Sequence, residues 1–88
     1  MRYAVWADLP RELTEEERST VFEALDRSVP GSGCVGRDKG ATDAVYFCVE
    51  AVSEDEARTQ AANCMNMLLR RAKVDISYTL YLQVASTA

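Results

Sequence analysis

Between Ser53 and Val74 the apolar residues recur at helical spacing. At about 100° per residue Ala57, Ala61, Cys64, Met65, Leu68 and Ala72 fall on one stripe, with Ala62 and Leu69 at its edge and Thr59, Asn63, Asn66 and Arg70 opposite. Ser53 and Glu56 stand in capping-box spacing just before it, so the Ser hydroxyl can accept a free backbone N–H while the Glu reaches back to the cap. Acidic residues 54–56 open this helix, and Arg70, Arg71 and Lys73 close it, as the helix dipole favours. A shorter amphipathic segment starts from a second capping box, Thr14 with Glu17, and carries Val21, Phe22, Leu25 and Val29 down to a Pro30-Gly31 stop. Three other stretches have the two-residue period of strands: Arg2–Ala7 (stopped by Asp8-Leu9-Pro10), Ala44–Ala51 and Ile76–Val84. In the last, Ile76, Tyr78, Leu80, Leu82 and Val84 share one face and Ser77, Thr79, Tyr81 and Gln83 the other. Cys34–Arg37 reads as a short edge strand, joined to the next through Asp38-Lys39-Gly40.

The order is therefore β-α-β-β-α-β. Two such halves with right-handed crossovers pack two helices on one face of a four-stranded antiparallel sheet, an α+β fold of the ferredoxin-like, split βαβ kind. Eighty-eight residues make one domain, spanning residues 1–88, which buries only about 60–65% of its unfolded surface. One sheet face then lacks a cover. If Val45, Phe47 and Val49 meet the helices, Ala44, Tyr46, Cys48 and Glu50 point away, joined by Thr79 and Tyr81. The first strand fits two registers, burying either Tyr3, Val5 and Ala7 or Ala4 and Trp6. Trp6 is placed outside, where small residues and Tyr46 would surround it.

Charge and composition narrow the function classes. A formal net charge of −4 opposes unaided binding to phosphate backbones, so nucleic acid is a disfavoured partner. The apolar run at the N-terminus is broken by Asp8, too soon for a signal sequence or a membrane span, and a cytoplasmic protein with no membrane contact is expected. Cys34, Cys48 and Cys64 are widely spaced, and with no histidine in the chain they form neither a zinc pattern nor a disulfide framework. All three are expected to be reduced, Cys48 and Cys64 packing as small hydrophobes. No metal or cofactor is expected, and without histidine the usual nucleophile–base pairs are missing, which argues against an enzyme.

Two motifs have plain structural explanations. Gly31-Ser32-Gly33-Cys34-Val35-Gly36 matches G-x-G-x-x-G, but a helix precedes it and a strand follows, the reverse of a dinucleotide site, so it reads as a connector. Arg37, Lys39, Arg70, Arg71 and Lys73 should gather at one end of the sheet together with Glu15, Glu16 and Glu17, giving a solvated set of ion pairs rather than an anion site.

The run Ala4–Pro10 followed by Leu13-Thr14-Glu15-Glu16 resembles the first strand and helix start of RNA-recognition-motif domains, and Tyr46–Glu50 followed by residues 53–57 resembles their third strand and second helix. The resemblance implies base stacking on exposed aromatics of the two central strands. On matching positions the first-strand site falls on Val5 rather than Trp6, the third-strand sites fall on Tyr46 and Cys48, and Asp43 and Ala44 stand where the family has a basic residue. The residues thus leave three expectations. The first is a non-enzymatic module that pairs as a homodimer, or docks another protein, through Trp6, Tyr46, Cys48, Thr79 and Tyr81. The second is RNA or single-stranded nucleic acid stacking on the same face. The third is a small-molecule site or cofactor-free enzyme at a dimer cleft, with Tyr46 or Tyr81 as its polar tip.

Overall fold

A computed structural model describes residues 1–29, 33–37 and 42–85. The elements follow the expected order: β1 (Arg2–Asp8), α1 (Glu15–Ser28), β2 (Cys34–Arg37), β3 (Asp43–Glu50), α2 (Glu54–Ala72) and β4 (Thr79–Val84). The four strands form one antiparallel sheet in the order β2-β3-β1-β4, so this is the ferredoxin-like arrangement. The Pro30-Gly31 stop and the Asp38-Lys39-Gly40 connection lie outside the described residues. No helix among the described residues is long and apolar enough to cross a membrane.

Local chemistry sets the helix boundaries. Thr14 accepts from the Glu17 N–H at 3.1 Å, and the Glu17 carboxylate accepts from the Thr14 N–H at 2.8 Å, a complete capping box. At α2 Ser53 accepts from the Glu56 N–H, whereas Glu56 reaches past the cap to the Val52 N–H at 3.0 Å. The expected reciprocal bond to Ser53 itself is thus displaced by one residue. Helix α2 ends at Lys73, whose own N–H donates to the Arg70 carbonyl at 3.2 Å and whose left-handed φ of 57° turns the next N–H, that of Val74, back to the Leu69 carbonyl at 2.9 Å.

The core lies between the helices and one sheet face. Val5 and Ala7 of β1 and Val45 and Phe47 of β3 meet Val21, Ala24 and Leu25 of α1 and Ala61, Met65, Leu68 and Leu69 of α2. Each fully buried Leu or Met among these contributes about 1.5–3 kcal/mol. Tyr3, Ala51 and Ala57 form a smaller cluster at the other end of α2. Phe22, expected in the α1 stripe, is 44% exposed, and the smaller Ala24 takes the inner position. Cys64 packs against the core as expected, and burial raises its thiol pKa.

The last strand begins three residues later than its alternation suggests. β1 ends at Asp8, opposite Thr79, so residues before Thr79 have no strand to pair with. Ile76 and Tyr78 still face inward because they pack on the core, the Tyr78 hydroxyl donating to Asn66 Oδ1 at 2.8 Å or to the Ala62 carbonyl at 3.2 Å. At the other end Val84 runs beyond the cover of the helices and is 54% exposed.

Asp43, at the start of β3, ties the loop before α1 to the sheet. Its side chain lies on the helix face with 0% exposure, accepting from the Leu13 N–H at 2.5 Å and from Arg18 Nη2 at 3.0 Å. Its backbone adds two bonds, the carbonyl accepting from Leu9 N–H and the N–H donating to the Arg11 carbonyl.

Candidate interaction face

Side chains alternate across each strand, so the buried positions of β1 and β3 fix what the opposite face presents. Tyr3, Val5 and Ala7 are buried under the helices, which leaves Arg2, Ala4, Trp6 and Asp8 on the uncovered face. Trp6 is therefore outside, and the Val5 position that the recognition-motif likeness would use for stacking is in the core.

Strand register turns this face into transverse rows. Trp6 is paired with Tyr46 on β3 and with Tyr81 on β4, and Tyr46 with Cys34 on β2. One row thus reads Cys34, Tyr46, Trp6, Tyr81 across all four strands. The row on one side holds Cys48, Ala4 and Gln83, and the row on the other holds Gly36, Ala44, Asp8 and Thr79. Beyond the first of these, Arg2 sits opposite Glu50, whose carboxylate is 3.8 Å from the N-terminal amine.

The Trp6 and Tyr81 rings are stacked, with centroids 5.4 Å apart and planes 13° from parallel. Such a pair contributes about 0.5–1.5 kcal/mol beyond its burial. Tyr81 nonetheless remains 42% exposed, and Trp6, Tyr46 and Cys48 are half-buried. Thr79 is exposed at the margin. The five residues expected to make the site thus share one face, four of them within two adjacent rows. Ala44, also expected in the patch, is on the same face by register but is fully buried and offers it no surface. Cys34 was missing from the expected set: it is exposed and ends the aromatic row, a position that only the pairing of β2 with β3 reveals. Among the described residues the centre of the face carries no charge; Asp8 flanks it at one end, Arg2 and Glu50 at the other.

The charged surface is elsewhere. A groove between the helices is lined by Thr14, Glu16, Glu17, Thr20, Arg71, Ala72 and Lys73, so acids and bases do share one end of the molecule. Glu15 lines a separate depression with Glu12 and Arg18, while Lys39 lies outside the described residues. Arg11 donates to both oxygens of Glu17 at 2.9 and 3.0 Å, and this contact, with the Thr14 N–H, lowers the Glu17 pKa to about 2. Among the described residues no three His, Cys, Asp or Glu side chains are grouped as metal ligands would be. Of the glycine motif, Gly31 and Ser32 lie outside the described residues, and Cys34–Arg37 is a strand.

Comparison with protein-family models, with curated proteins and with solved structures finds no match to this chain.

Proposed function

We propose that this chain is a non-enzymatic cytoplasmic interaction module that pairs with a second copy of itself through the uncovered sheet face. One observation carries the reading: Trp6, Tyr46 and Tyr81 stand in a single row at the middle of a face whose centre is uncharged, with neighbours as small as Ala4 and Cys48. The largest apolar patch on a small protein is often a functional surface, and buried aromatics dominate the energetics of interfaces. The face spans four strands about 4.8 Å apart and about seven residues of about 3.4 Å, roughly 450 Å² of projected surface per copy. Two copies would bury about 900 Å² of projected surface, below the roughly 1,200 Å² at which stable specific interfaces begin, so the dimer should be weak and dissociate reversibly.

Sedimentation velocity over a concentration series, read together with Trp6 emission, tests this. The expected result is a rise toward twice the monomer mass of 9.8 kDa, with the emission shifting to the blue as the dimer forms. A clean monomer at every concentration, with emission that does not change, would remove the reading.

A second reading is favoured by one specific feature. Trp6 and Tyr46 are direct neighbours on the two central strands, where stacked bases of RNA or single-stranded DNA would lie. The net charge of −4, and the lack among the described residues of any basic side chain beside that pair in its row or the adjoining rows, weigh against it. Mixed oligonucleotides at low salt should not bind; micromolar binding there would promote this reading above the first.

A further inference from the structure

The uncovered face also carries information on how two copies would meet, and the following rests on the self-association proposed above. Its four rows differ in bulk and in charge. From one end to the other they run from Asp8 with Ala44, through the bulky row of Tyr46, Trp6 and Tyr81, to the small row of Cys48 and Ala4 with Gln83, and on to Arg2 on β1 with Glu50 beside it on β3, so the opposite charges at the two ends are those of β1 alone. In the aligned mode of sheet packing, strands of the two sheets stay within about 30° of a common line, and a two-fold axis in the plane between them then runs either across the strands or along them.

An axis along the strands keeps every row on its own counterpart. Bulky side chains would then oppose bulky ones and hold the sheets apart, while Ala4 and Cys48 would face each other across a void; interiors pack too densely to leave such a gap. An axis across the strands, passing between the Trp6 and Ala4 rows, reverses the order. Trp6 then lies over the partner's Ala4 and Tyr46 over the partner's Cys48, large on small. Gln83 comes within reach of the hydroxyl of the partner's Tyr81. At the margins Asp8 meets the partner's Arg2, and the symmetry makes this contact twice. Within one chain these two residues cannot pair, since they stand at opposite ends of the seven-residue strand β1, about 20 Å apart.

We infer that the partner is a second copy of this chain docked with its strands reversed, the aromatic row of each copy seated on the Ala4–Cys48 row of the other and Asp8 paired with the partner's Arg2. Charge complementarity between the two ends of one strand is what commits the face to another copy of itself. The same contacts make association weaker in salt, because both ion pairs lie at the exposed margin.

A mixing experiment decides it. Asp8→Lys and Arg2→Glu chains are prepared separately, each is checked for native circular dichroism, and dimer dissociation constants are measured for each alone and for an equimolar mixture. Each variant alone opposes like charges at both contacts, and its homodimer should weaken roughly tenfold, two exposed pairs being reversed in sign. In the mixed dimer one contact is the native pair and the other is the same pair with its charges exchanged. Its affinity should return to within about threefold of wild type, tighter than either homodimer. A wild type that dimerises while Asp8→Lys has no effect, or while the mixed dimer only averages the two homodimers, would overturn the reversed docking and leave self-association standing. A wild-type monomer would overturn both.

Discussion

Among the described residues, replacing Asp43 should cost more than any other single change of a charged residue. Its carboxylate is wholly buried and accepts from the Leu13 N–H and from Arg18, so it joins the loop before α1 to the first residue of β3. Removing one member of a buried ion pair typically costs 3–5 kcal/mol. Here that figure is an upper bound, because the Arg18 side chain is 30% exposed and has Glu12 at 3.8 Å, so its charge can turn toward water and a second carboxylate. What cannot be relieved is the buried Leu13 N–H, worth about 1–3 kcal/mol when it loses its acceptor. Asp43→Ala should therefore destabilise by about 2–4 kcal/mol, a large fraction of the total for a domain of this size. Asp43→Asn keeps one oxygen that can accept from both Leu13 and Arg18, but it gives up the charge and the second oxygen, whose place a buried NH2 takes beside the guanidinium, so it should cost less than Asp43→Ala without being neutral. Urea unfolding followed by far-UV circular dichroism measures both, with unchanged slopes confirming that the unfolded state is unaffected. An Ala variant within about 0.5 kcal/mol of wild type, or an Asn variant as damaged as the Ala one, would refute this account of the Asp43 contacts.

Acid should loosen α1 through Glu17. Its pKa in the folded chain is lowered from 4.5 to about 2, chiefly by the Arg11 hydrogen bond and then by the Thr14 N–H. The stability it contributes is thus complete above about pH 4.5 and is lost as pH falls through about 2. Melting temperatures of wild type and Glu17→Gln should converge toward pH 2 and separate above pH 4.5; parallel profiles would show that Glu17 is not linked to folding. Gly33→Ala should destabilise by about 1–3 kcal/mol, since an added Cβ would lie 2.6 Å from Leu25 Cγ, a side chain locked in the core. Gly36→Ala, which meets nothing within 4 Å, is the control, and equal melting temperatures for the two variants would contradict the packing described at Gly33.

Much of this fold is written locally. The Thr14–Glu17 box and the Ser53 cap state where the helices begin, and the alternation of β1 and β3 separates core from open face, because each signal depends on residues a few positions apart. The rest depends on distant partners. Ile76-Ser77-Tyr78 alternates like a strand, yet Tyr78 is held by Asn66 and Ala62 of α2, and no periodicity distinguishes packing on a helix from pairing in a sheet. Asp43 does carry a signal in the sequence: it shares the inward register of Val45, Phe47 and Val49, and a carboxylate in that register needs a buried donor. The candidate face was legible as a set of residues but not as an arrangement. That Cys34, Tyr46, Trp6 and Tyr81 form one row follows from three strand registers, each set by the whole sheet.

Self-association through the open face is tested most directly by Trp6→Ala, measured by sedimentation equilibrium and thermal unfolding side by side. Trp6 lies outside the core and stacks on Tyr81, so the variant monomer should stay folded, losing about 0.5–1.5 kcal/mol from the ring pair, while its dimer weakens by several kcal/mol. A Trp6→Ala chain that is folded and as dimeric as wild type would show that the interface lies elsewhere and contradict the proposal.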